Sequence, residues 1–261
     1  MFLGVLLTTL ATLSAPAQFY VAPGGNDENA GTIEAPFATI ERAQEAVRKA
    51  RREGNGRHTT VYLRGGSYEL DAPLAFGPED AGSETHRVAY TAYREEQPVV
   101  SGGRVIRGWK PLENGLWQTT LPQVAKGDWR FRQLFVDGKR LPRARFPNDA
   151  TLLHVEEVDP EVMEVVLDQA PPACANGGRG VELVVYQNWS ITRVRALGIA
   201  DRTVRTANPA GWIGHGSMTT TSPGKPAYVE NALAFVDAPG EWFLDTASGV
   251  LTYCAAEDED P

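Results

Sequence analysis

Short β-prone segments divided by Gly- and Pro-rich turns, with one amphipathic helix near the start, predict an all-β protein. Its opening part reads as the first rungs of a parallel solenoid, and its later part as an antiparallel β-sandwich module. Three observations carry this reading. Gly (26) and Pro (18) together supply about a sixth of the 261 residues, which suits many strands and many turns. The stretch 39–53 is the one with apolar residues at helical spacing. Two-residue hairpin signals are missing before about residue 105 and frequent after it.

Residues 1–18 read as a signal peptide. Phe2 to Leu13 is an apolar run followed by the small residues Ser14, Ala15 and Ala17. It is too short for a membrane span, which takes about 20 apolar residues, and has no Lys or Arg ahead of it. A buried N-terminal strand is the alternative. Export implies a secreted or periplasmic protein. There Cys174 and Cys254 either pair, closing a loop of about 80 residues for about 4 kcal/mol of chain entropy, or remain buried thiols.

Residues 19–105 form the next part, a cap and the first rungs. Phe19 to Ala22 is a short strand entering a loop rich in Gly, Asn and Asp. Thr39 is placed to cap a helix whose apolar face is Ile40, Ala43, Val47 and Ala50. Arg48, Lys49, Arg51 and Arg52 fall in its last turn, where positive charge complements the helix dipole, and Gly54 terminates it. Such a helix can cover the open end of a solenoid core. Apolar segments follow at Val61, Leu74, Val88 and Val99, starting 13, 14 and 11 residues apart. That spacing fits successive faces of a parallel solenoid, with an ordinary sandwich as the rival.

Residues 106–256 carry the antiparallel signals. Leu134–Val136 and Lys139–Leu141 flank Asp137-Gly138, a strong hairpin centre. Val155–Val158 and Met163–Leu167 flank another turn, Val181–Tyr186 and Ser190–Leu197 are two further β-prone runs, and Glu241–Asp245 faces Val250–Tyr253. Residues 257–261 read as a truncated end, without a closing cap. The formal charge of −8 and pI near 5.1 disfavour nucleic acid as a partner. The hydrophobic content of 42% excludes wholesale disorder.

Three motif groups then point to a family. Phe19-Tyr-Val-Ala-Pro-Gly-Gly-Asn-Asp, Pro36-Phe-Ala-Thr-Ile and Val61-Tyr-Leu-Arg-Gly-Gly-Ser-Tyr resemble the opening of pectate-lyase-like right-handed parallel β-helix proteins. Phe131 to Arg140 with Arg143-Ala-Arg-Phe-Pro-Asn, and Glu230-Asn-Ala with Asp237 to Asp245, resemble glycoside hydrolase family 141. The resemblance implies a β-helix with an inserted β-sandwich and α-fucosidase- or xylanase-like hydrolysis of plant cell-wall glycans. It also implies catalytic carboxylates on rungs after the region resembled here, so none is assigned within the chain. A polysaccharide lyase and a non-catalytic glycan-binding module are the alternatives.

Glycoside hydrolysis needs two carboxyls about 5–5.5 Å or about 6.5–9.5 Å apart. Glu241 and Asp245, four apart on an expected strand, lie about 13 Å from each other by strand rise, and Asp245 beside a turn reads as a turn cap. Glu230 and Asp237 are not assigned catalysis either. A polysaccharide or oligosaccharide is the expected partner. The candidate sugar contacts are Asn188 and Trp189 after Tyr186, His215 beside Trp212 in a Gly-rich loop, and Arg145. A core position for Trp189, an exposed loop position for His215 and a structural ion pair for Arg143 or Arg145 are the rival readings. Asn188-Trp-Ser190 is also a glycosylation sequon in a eukaryotic secretory route. No cofactor is expected. Asn26, Asp27, Glu28 and Asn29 could supply oxygens to Ca²⁺, but lack EF-hand spacing, and Asx-rich turns look the same.

Overall fold

A computed structural model of the chain describes residues 17–53, 58–148, 151–178, 180–211, 221–257, 259 and 261, with the Asn176 side chain excluded. Residues 1–16 of the expected signal peptide, Gly54, and the loop 212–220 with Trp212 and His215 lie outside the described residues. The described chain is mostly β. Among the described residues, no helix is long and apolar enough to cross a membrane. Two compact units divide the chain, Met1–Ile106 and Arg107–Pro261.

In the first unit, β1 (Ala17–Val21), β2 (His58–Leu63) and β4 (Arg87–Ala92) form one parallel sheet, and β3 (Gly66–Glu69) pairs with β5 (Pro98–Ser101) in another. Val21, Val61 and Leu63 point to a core shared with Phe37, Tyr68 and the apolar face of α1 (Ile40–Arg52). Tyr20 and Tyr62, in register on β1 and β2, stack at 5.2 Å. Thr39 Oγ1 accepts from Arg42 N at 3.1 Å, as the N-cap reading expects. The basic end of α1 also has a tertiary role: Arg48 grips Asp80 with two hydrogen bonds of 2.7 Å. Leu74–Phe76 forms no strand; the element between β2 and β4 is β3, whose sole buried side chain is Tyr68.

The second unit holds β6 (Lys110–Pro111), β7 (Leu116–Thr120), a one-turn α2 (Pro122–Ala125), β8 (Leu134–Val136), β9 (Lys139–Leu141) and β10 (Arg145–Phe146). They are followed by β11 (Leu153–Asp159), β12 (Glu164–Leu167), β13 (Glu182–Tyr186), β14 (Ile191–Ala200), β15 (Thr203–Thr206) and β16 (Pro226–Glu230). The last pair is β17 (Trp242–Asp245) and β18 (Val250–Cys254). The hairpins expected from sequence form. In β8–β9, both Asp137 (φ 49°) and Gly138 (φ 75°) are left-handed, the condition for a tight hairpin turn that matches strand twist.

The expected sandwich is instead a closed barrel. Strands pair in the order β16, β11, β12, β15, β14, β13, and β13 returns to β16 through Leu183↔Val229 and Val184↔Tyr228. Six antiparallel strands thereby close without a free edge. Alternation fills the interior with Leu153, Val155, Val165, Leu167, Leu183, Val185, Val194, Val204, Ala227 and Val229. A separate four-stranded sheet, β17-β18-β7-β6, buries Trp242 opposite Tyr253.

Candidate functional site

Strand alternation decides which side chains leave the barrel. With Leu183, Val185, Ala227, Val229, Val194 and Ala196 inside, the outer face carries Glu182, Val184 and Tyr186 of β13, Tyr228 and Glu230 of β16, and Ile191, Arg193, Arg195 and Leu197 of β14. The short strand β10 pairs with the other edge of β16, Arg145 opposite Glu230. Register therefore sets one row across four strands: Arg145, Glu230, Glu182, Arg195. The next row is Tyr228, Val184, Arg193.

Two glutamates directly opposite one another repel. Guanidinium groups resolve that conflict here. Arg143 Nη1 donates to Glu182 Oε2 at 3.0 Å and to Glu230 Oε1 at 2.9 Å. Arg193 Nε donates to Glu230 Oε1 at 2.9 Å, and Arg132 grips both oxygens of Glu182. Glu230 is only 6% exposed. Burial alone would raise the Glu182 carboxyl; the Arg132 hydrogen bonds and the Arg143 charge outweigh it and hold it below the usual carboxylate range. Both glutamates accept hydrogen bonds from guanidiniums. The network is a rigid polar floor.

Aromatic surface borders this floor. The Arg145 guanidinium lies 4.0 Å above the Tyr228 ring, and its Nε donates to Pro147 O at 2.9 Å. Tyr228 and Tyr186 have ring centroids 6.0 Å apart. The β13–β14 turn, closed by Gln187 N donating to Ser190 O at 2.8 Å, lifts Trp189 into solvent, where it is 77% exposed. Asn188 Oδ1 accepts from Lys225 Nζ in the same turn region.

Of the sequence candidates, Arg145 sits at one end of this face and Asn188 and Trp189 at the other. Four residues of β13, about 13 Å by strand rise, separate the Glu182 row from Tyr186. His215 lies outside the described residues. The core reading of Trp189 fails, because the hairpin ends before the ring can turn inward. Arg143 is the structural ion-pair residue that the rival reading describes. Sequence reasoning did not single out Glu182, Tyr186, Arg193, Arg195 or Tyr228. The alternation Ile191, Arg193, Arg195, Leu197 was the available signal.

Glu241, Asp245 and Asp27 are committed to structure. Glu241, 3% exposed, accepts from Arg145 N at 3.2 Å, Asp237 N at 3.1 Å and Ala238 N at 3.2 Å. Burial pushes its carboxyl up despite those backbone donors. Glu241 precedes β17, so it does not share a strand face with Asp245. Asp245 caps its turn, accepting from Ala247 N at 2.9 Å and Ser248 Oγ at 2.6 Å. Asp27 accepts from Ala38 N, Thr39 N and Thr39 Oγ1 at 2.8–2.9 Å, and Asn26 Oδ1 from Glu28 N. That cluster organises the approach to α1. Among the described residues, no group of three or more His, Cys, Asp or Glu is placed to hold a metal ion. Cys174 and Cys254 are free thiols.

The chain is similar to known proteins along both units. A solved structure described as a glycoside hydrolase matches 94% of this chain and 44% of its own length, with a TM-score of 0.78 and 26% identity. Over 86 residues, 33% of the chain, the uncharacterized protein YwoF of Bacillus subtilis is 31% identical and the pectate lyase PEL9 of Emericella nidulans 30% identical. Those 86 residues span 16% and 18% of the two relatives, so the chain covers less than half the length of each protein it matches. The family model described as GH141 insertion domain matches residues 114–256, which take in the whole barrel and more than half of the chain. The chain therefore belongs to the GH141 insertion-domain family.

Proposed function

We propose that this chain is the glycan-binding, N-terminal portion of a secreted or periplasmic glycoside hydrolase acting on plant cell-wall or other polysaccharides, with α-fucosidase- or xylanase-like activity. The observation that carries the binding role is the outer barrel face. An exposed indole and the half-buried Tyr186 stand at one end of a face whose other end is a fixed network of guanidinium groups; rings of this kind stack on sugars, and such donors hydrogen-bond their hydroxyls. In this reading the parallel sheets of the first unit begin a right-handed β-helix, and the reacting carboxylates lie outside this chain. Support for the latter is that Glu182, Glu230, Glu241 and Asp245 are all engaged in structural bonds. A lyase is the second reading, favoured by the 30% identity to a pectate lyase; it predicts unsaturated, ultraviolet-absorbing products.

Affinity electrophoresis through gels containing xylan, xyloglucan or pectin tests the binding role. The chain is expected to be retarded by at least one of them. Trp189→Ala is expected to lose most of that retardation while its unfolding free energy stays within about 0.5 kcal/mol of the parent, as for other exposed positions. Equal retardation of parent and variant would remove the hairpin tip from the binding face.

A further inference from the structure

The charge of the patch around Glu182 and Glu230 on the outer barrel face is opposite in sign to that of the chain. Glu230, Glu182 and Arg195 of that row, with the side chains bonded to the two glutamates, Arg132, Arg143 and Arg193, set four guanidiniums against two carboxylates. Among these residues the local excess is two positive charges in a protein of formal charge −8. A structural network would need only enough arginine to neutralise the two glutamates. Arg143, Arg193 and Arg132 already exceed that requirement.

Arg195 stands outside the network. It lies directly opposite Glu182 on β14, is exposed, and makes no ion pair among the described residues. Arg193 is two residues away on the same strand face, so the two Cα atoms lie about 7 Å apart by strand rise. Beyond Arg193 the face continues through Ile191 to Trp189, both exposed. It thus offers guanidinium cations at one end and an apolar, ring-stacking surface at the other.

We propose that this face binds a glycan bearing carboxylate groups, a uronic-acid polymer, with Arg195 and Arg193 taking the carboxylates and Trp189 a sugar ring. The assignment rests on the glycan-binding reading above and adds its substrate class. Guanidinium forks match carboxylates geometrically. Counterions confine the patch's field to about 8 Å at physiological ionic strength, so it acts on groups docked on the face. The chain's overall negative charge opposes denser polyanions such as nucleic acid.

Isothermal titration of the 261-residue chain with polygalacturonate and with its methyl-esterified, uncharged form tests this. The charged polymer is expected to bind more tightly, and its advantage to shrink at high salt. Arg195→Gln is expected to weaken binding of the charged polymer about tenfold, the loss of one charge-assisted contact, with unchanged circular dichroism and unchanged binding of the esterified polymer. Equal affinity for the two polymers, or an unaltered affinity in Arg195→Gln, would overturn the acidic assignment while leaving glycan binding intact. Failure to bind either polymer, together with no retardation by any neutral polysaccharide, would overturn the glycan-binding reading itself.

Discussion

Glu182 and Glu230 face each other across β13 and β16, and three arginines make that opposition stable. The consequence is a pH dependence of defined sign. The folded state holds the Glu182 carboxyl below its ordinary value of 4.5. Its contribution is therefore complete above about pH 4.5 and is lost as pH falls through the lower, folded value. Glu241 acts oppositely: burial raises its carboxyl, so its linked stability falls as pH rises. Comparing the parent with Glu182→Gln cancels the Glu241 contribution. Urea unfolding is expected to show a stability gap that narrows below about pH 4.5; a constant gap down to about pH 3 would contradict the account. At this scale the sequence was partly readable. Asp137-Gly138 and Asp245 announced their turns through local chemistry alone. The ion network did not, because Glu182, Arg193 and Glu230 meet only through strand register, and Trp189 was ambiguous because its burial depends on where one hairpin ends.

At the level of elements, the hairpins β8–β9, β11–β12 and β17–β18 were legible, whereas β14–β15 and β6–β7 were not. The β17–β18 turn illustrates how tightly such a connection is specified. Gly249 has φ +74°, its carbonyl accepts from Leu121 N at 2.8 Å, and a Cβ there would sit 2.4 Å from Leu121 O. Gly249→Ala combines left-handed strain with a backbone clash and is expected to cost about 2 kcal/mol or more. A thermal shift of less than a degree or two would show that this turn is looser than described. What the sequence concealed was barrel closure. A sandwich and a barrel share hairpins and alternation, and closure rests on β13 pairing with β16, some forty residues away. β3 was missed for a related reason: one buried Tyr68 in Gly-Ser-Tyr-Glu gives no alternation to read, whereas the apolar Leu74–Phe76 imitates a strand.

At the scale of the whole molecule, the all-β class and the carbohydrate-active family were legible in turn-rich composition and in the motifs around residues 131–148 and 230–245. The charge pattern was not. A formal charge of −8 describes an average, while the barrel gathers arginines from 132, 143, 145, 193 and 195 onto one face through topology. The central claim is the proposal that this chain holds glycan without cleaving it, since Glu182, Glu230, Glu241 and Asp245 are tied to guanidiniums, backbone amides or a turn. The measurement that tests it most directly is release of reducing ends from a polysaccharide the chain has been shown to bind, followed with the 261-residue chain at near-neutral pH. Retention of the polymer with no new reducing ends is the result predicted. Turnover that persists in Trp189→Ala and grows with protein concentration would contradict it, and would place a working pair of carboxylates within this chain.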